Sequence, residues 1–138
     1  MNSAQPQGPR YRQLPLWRDA TRLLVLVETA VRQFAQYHKY TLGADLRRQA
    51  MGICRRVARA AQCTDATQRA RQVERLVWGV EDLKITLQLA KEVEAFASFA
   101  QFQGLAELSV ALGKQSGGWW KRARSVVPVS SQPGGSSA

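Results

Sequence analysis

Apolar side chains recur at helical spacing in four successive stretches of this 138-residue chain, and that period restricts the fold more than any other feature. The first stretch predicts a helix from about Leu16 to Tyr37, in which Ala20, Leu23, Leu24, Val27, Val31 and Phe34 follow the i, i+3, i+4, i+7 rule. Arg18, Arg22 and Arg32 point away from that stripe. After a short link, His38-Lys39-Tyr40, a second helix is predicted from about Leu42 to Gln62, with Thr41 as its N-cap. It turns Leu46, Ala50, Ile53, Cys54, Val57 and Ala61 toward the core. The third runs from about Thr67 to Val93 behind Asp65 and Gln68, which have capping-box spacing, and buries Val73, Leu76, Val77, Val80, Leu83, Leu87 and Ala90. The fourth starts near Phe99 after a second capping box, Ser98 and Gln101, and continues the core with Phe102, Leu105, Leu108 and Leu112. Gly113 and Gly117-Gly118 interrupt it. Glycine in a helix costs about 1 kcal/mol relative to alanine, so the pair is expected to mark a kink, a helix end or a close backbone contact.

Four long helices with short links predict an all-α, up-down-up-down antiparallel four-helix bundle spanning residues 14–124. No strand-like alternation and no repeat of fixed period competes with that reading. Residues 1–13 lack apolar periodicity and are expected to form a disordered arm; residues 125–138, rich in Ser, Gly and Pro, are expected to form a disordered tail. A single domain of this length buries enough surface to stand without metals or disulfides. Cys54 and Cys63, nine positions apart, make neither a disulfide framework nor a zinc site and are expected to stay reduced. No apolar run approaches the roughly 20 residues of a membrane span. The first ten residues carry no apolar h-region, so a cytoplasmic chain without membrane association is expected.

Catalytic chemistry finds little to work with. His38 is the one histidine and lies in a polar link, the setting of a solvated side chain. Glu-x-x-His, His-x-x-x-His and Cys-x-x-Cys spacings are all missing. The run beginning at Gly113 lacks the Gly-Lys-Ser/Thr ending of a phosphate loop and follows a helix, not a strand. Glu81 and Asp82 are helical neighbours that face about 100° apart and cannot converge on one atom. The expectation is a chain that is not an enzyme and uses no cofactor.

Charge is the positive signal. The net charge is +10, carried by 15 Arg and 5 Lys against 10 acids, and favours polyanions, above all nucleic acid. Residues 10–62 are net +8, residues 63–112 net −2 and residues 113–138 net +4, so the first half and the C-terminal end are the expected contact regions. On the second helix Arg48, Arg55 and Arg59 fall within about 40° of one another, opposite the core, with Arg47 and Arg56 on the flanks. With only Asp45 acidic there, intrahelical ion pairs are not expected to neutralise the ridge, which reads either as a phosphate-tracking surface or as a solvated face. Lys121, Arg122 and Arg124 stand beside Trp119 and Trp120, which suit base stacking, although one Trp is expected to close the core at the bundle end. Trp78, Ile85 and Leu89 form a second apolar line opposite the core stripe of the third helix. That line is expected to be an oligomer or partner interface, or else to be covered by an arm.

Three segments resemble one known family. The entry to the second helix, Tyr37-His38-Lys39-Tyr40-Thr41-Leu42-Gly43, the run from Val80 to Lys91, and the last helix from Leu105 through Gly117-Gly118-Trp119 are similar to the accessory variability determinant (Avd) proteins of diversity-generating retroelements. The resemblance spans about residues 14–122. It implies a basic four-helix bundle that forms homopentamers, associates with a reverse transcriptase and its template RNA or cDNA, and supports mutagenic copying of a template repeat. A sister group, the bundle proteins encoded in intervening sequences of large-subunit ribosomal RNA genes, shares the implied fold. A non-enzymatic scaffold for acidic protein partners is the alternative expectation.

Overall fold

The computed structural model describes residues 10–128. Among them are a 3-10 turn, Arg10–Gln13, and five α-helices: α1 Pro15–Arg32, α2 Gln36–Lys39, α3 Leu42–Gln62, α4 Ala66–Glu92 and α5 Phe99–Ser125. No strand occurs among the described residues, and the four long helices pack as a helical bundle in which each lies on the next and α5 returns to α1.

The helix boundaries follow local chemistry. Pro15 opens α1, where its missing N–H costs nothing and its φ suits a first turn. The predicted continuation of this helix to Tyr37 is corrected: α1 ends at Arg32 and tightens, with the Gln33 and Phe34 N–H groups donating to Ala30 and Val31 carbonyls. The turn keeps Phe34 in the core, edge-on to Phe96 at 5.3 Å between ring centres. Gln36–Lys39 then makes a single separate turn.

Thr41 precedes α3, but its side chain does not cap it; its hydroxyl donates back to the His38 carbonyl at 3.3 Å. Gly43 is buried where a Cβ would stand 2.8 Å from Val31 Cγ1, so a glycine lets the start of α3 lie directly against α1. Asp65 caps α4 by accepting from the Gln68 N–H at 2.8 Å, and Ser98 caps α5 by accepting from the Gln101 N–H at 3.2 Å. The second box is not reciprocal, because the Gln101 side chain reaches across to Gln33 Oε1 at 3.0 Å.

Helix α4 ends in a Schellman motif, with Ala95 N–H on the Ala90 carbonyl and Glu94 N–H on Lys91. Glu94 carries the left-handed turn at φ 58°, a conformation that glycine adopts without a Cβ penalty. Glu94→Gly is therefore expected to raise stability by about 0.5–1 kcal/mol in urea denaturation. Unchanged stability would show that the Glu94 side chain compensates.

Helix α5 corrects another expectation. It runs unbroken through Gly113, Gly117 and Gly118 to Ser125, the first residue of the expected tail. Arg10–Gln13, expected in the arm, form a turn whose Tyr11 packs edge-on against Trp17 at 4.7 Å. The expectations for residues 1–9 and 129–138 lie outside the described residues.

Two apolar clusters hold the bundle. The larger centres on Leu23, Val27, Leu46, Ile53, Leu76, Leu83, Leu87 and Leu112. The smaller gathers Ala60, Ala70, Val73, Ala123 and Val127, with Trp119 and Trp120 packed on it. It brings the end of α3, the start of α4 and the end of α5 to one end of the molecule, where the start of α1 joins them through Leu14–Leu16. Phe34, Phe96 and Phe102 close the opposite end.

Candidate nucleic-acid interface

That convergence redistributes the charge. The helix halves meeting at the α3/α5 C-terminal end comprise residues 10–23, 53–79 and 113–128, with 14 basic and 3 acidic side chains, net +11. The remaining residues of the chain hold 6 basic and 7 acidic side chains, net −1. The chain is thus polarised from end to end, and summing charge along the sequence hid this. Arg69, Arg71 and Arg75 belong to the segment read as acidic, yet the first half of α4 carries them to the basic end.

The arginines of α3 divide accordingly. Arg55 and Arg59 are exposed, lie in the C-terminal half of the helix and have no carboxylate partner among the described residues. Arg56 is half-buried and leans toward α4, its Cδ 3.9 Å from where a Cβ on Gly79 would sit. Arg48 pairs with Asp45 one turn earlier, and Arg47 Nε donates to Glu28 Oε2 of α1 at 2.7 Å. The expectation of an unneutralised ridge is therefore corrected for its N-terminal part. Asp45 neutralises Arg48 within the helix, and Arg47 sits on the flank facing α1, where a carboxylate invisible to single-helix reasoning meets it.

On α5, Lys121, Arg122 and Arg124 are exposed. Arg124 stacks over the Trp120 ring with 4.4 Å from its guanidinium carbon to the ring centre, so that face of the indole is occupied by a cation. Trp119 and Trp120 are both half-buried; Trp119 bridges the two apolar clusters, and Trp120 packs on the smaller one. Both close the bundle end, where one was expected to.

Trp78, Ile85 and Leu89 lie far from these cations in role. They are 60%, 58% and 52% exposed on the outer face of α4, and no described residue covers them. Val93 extends the line, while Asp82 and Glu92 share the same helix face.

Among the described residues no group of three or more His, Cys, Asp or Glu side chains is placed to hold a metal ion. Burial pushes the Cys54 thiol up to about 11, leaving it protonated and unreactive at neutral pH; Cys63 is half-exposed, and both are free. No described helix is long and apolar enough to cross a membrane. In comparisons with known proteins, no family model matches the chain and no curated protein sequence matches it.

Proposed function

We propose that this chain is a non-enzymatic, cytoplasmic nucleic-acid-binding subunit, built as an up-down-up-down antiparallel bundle that presents its basic end to RNA or cDNA. The carrying observation is the net +11 end, where Arg55, Arg59, Lys121 and Arg122 are exposed without carboxylate partners among the described residues. Phosphates gathered there release condensed counterions, which makes affinity strong at low salt and steeply salt-dependent. Arginine adds planar, bidentate phosphate contacts.

The finer reading is an accessory subunit of a diversity-generating retroelement that works with a reverse transcriptase during mutagenic retrohoming. Its support is the resemblance of the Tyr37–Gly43, Val80–Lys91 and Leu105–Trp119 segments. Co-expression with such a polymerase and its template RNA is the test: co-purification that survives nuclease treatment is expected, and loss of the polymerase under any salt condition would remove this part of the proposal.

We place self-association, as a homopentamer by resemblance, on the outer face of α4. Exposed Trp78, Ile85 and Leu89 support it, because three large apolar groups in one row seldom stay solvated on a monomer. Trp78→Asp is expected to reduce the particle mass to that of one chain by light scattering, with the helical spectrum retained. An unchanged mass would remove this face from the subunit contact.

The same exposed row favours a second reading, a scaffold for protein partners with no dedicated nucleic-acid role. Competition separates the two: under the scaffold reading, excess RNA leaves a bound protein partner in place.

A further inference from the structure

The basic end contains a concave feature. A groove of about 830 Å³ opens where the 3-10 turn, the start of α1, the end of α3, the first turn of α4 and the last turns of α5 meet. Its volume lies within the roughly 300–1,000 Å³ of small-molecule sites. Arg10, Arg69, Lys114 and Arg122 line it, and no carboxylate does. Trp119 and Leu14 supply apolar wall.

One of the cations is held in place by a hydrogen bond, and a second lies close to backbone. Arg69 is half-buried and its guanidinium donates to the Cys63 carbonyl, which fixes the side chain across the α3–α4 link. The Arg122 guanidinium lies over the bare backbone of Gly118, 3.4 Å from where a Cβ would stand. A Cβ at position 118 would come into contact with that flexible side-chain tip. In the wall, Gln115 Nε2 donates to Asp19 Oδ2 at 2.8 Å, and the other oxygen of Asp19 stands 3.5 Å from Arg18 Nε.

We infer that this groove is a binding site for an unpaired nucleotide, with the phosphate among Arg69, Lys114 and Arg122 and the base against Trp119. The inference rests on the nucleic-acid reading and names the site within it. Phosphate alone requires the cations but not the indole, and a duplex cannot insert a stacked, paired base into a concave wall. A single-stranded nucleotide uses both features, since each base offers a π-face to an aromatic platform. The ligand chemistry is the same for a free nucleotide and for an unpaired nucleotide in a strand.

The test compares two labelled RNAs, a blunt hairpin and the same hairpin with an unpaired 3′ extension, at one salt concentration. The extended hairpin is expected to bind about tenfold tighter, in line with one base stacked on an aromatic side chain. Lys114→Gln with Arg122→Gln, both at exposed positions, is expected to abolish the preference. Arg55→Gln with Arg59→Gln is expected to weaken both RNAs alike. Adenosine monophosphate at millimolar concentration erases the preference if free nucleotides enter the groove, and leaves it intact if only strands do. Equal affinity of the unmodified protein for the two RNAs, or a preference that survives Lys114→Gln with Arg122→Gln, overturns the groove while leaving the basic end as a general RNA surface. Failure to bind either RNA at low salt overturns both readings.

Discussion

Reversing Arg55 and Arg59 to Glu is expected to lower affinity for a structured RNA by one to two orders of magnitude at about 0.1 M salt, and to flatten the salt slope by about two. Each arginine that neutralises one phosphate contributes close to one unit of slope, and these two are exposed without carboxylate partners among the described residues. Reversing Arg47 and Arg48 is expected to do far less. Both already face carboxylates, Glu28 and Asp45, and both lie in the half of the molecule that is net −1. Fluorescence anisotropy on the two double variants checks the contrast. Equal losses would mean that the whole outer face of α3 binds, as the helix alone suggested, and that end-to-end polarity is irrelevant.

The second large effect concerns the bundle itself. Leu83→Ala is expected to cost about 2–5 kcal/mol, because a fully buried leucine leaves both lost transfer energy and a cavity. In a domain of this size that lowers Tm by roughly 10 °C and removes a large part of a total stability of about 5–15 kcal/mol. Val25→Ala, on the 62% exposed side of α1, is expected to stay within about 0.5 kcal/mol. Thermal denaturation of the two variants tests the assignment of inside and outside. A mild Leu83→Ala would mean that the core between α4 and its neighbours is loosely packed.

Much of the fold was legible because it depends on local pattern. The bounds of α3, Leu42–Gln62, match the apolar period, and the Asp65 and Ser98 caps sit where their spacing to Gln68 and Gln101 placed them. The break after Arg32 was not legible. No Pro or Gly marks it, and the Phe34–Phe96 contact that accompanies it joins residues 62 positions apart. The Gly117-Gly118 pair misled for a related reason: propensity disfavours glycine there by about 1 kcal/mol each, but Trp119, Trp120 and Ala123 pack just beyond it and carry the helix through.

The candidate site was legible in part. Arg55, Arg59, Lys121 and Arg122 could be picked out as unpaired within their own helices, and they are unpaired among the described residues. Arg47 could not be separated from them, since its partner Glu28 is on another helix. Arg10, Arg69 and Lys114 could not be read as one site because they lie 45 to 104 positions apart along the chain and meet only at the bundle end. Counting charge by helix halves, with alternate helices reversed, is the signal that finds them.

The most direct measurement is a titration of the unmodified chain with a labelled structured RNA by anisotropy, repeated from about 50 to 300 mM salt. With the basic end engaging several phosphates, log affinity is expected to fall linearly with log salt, with a slope of about −4 or steeper and submicromolar binding near physiological ionic strength. No binding, or an affinity indifferent to salt, would contradict a nucleic-acid interface at that end and favour the protein scaffold.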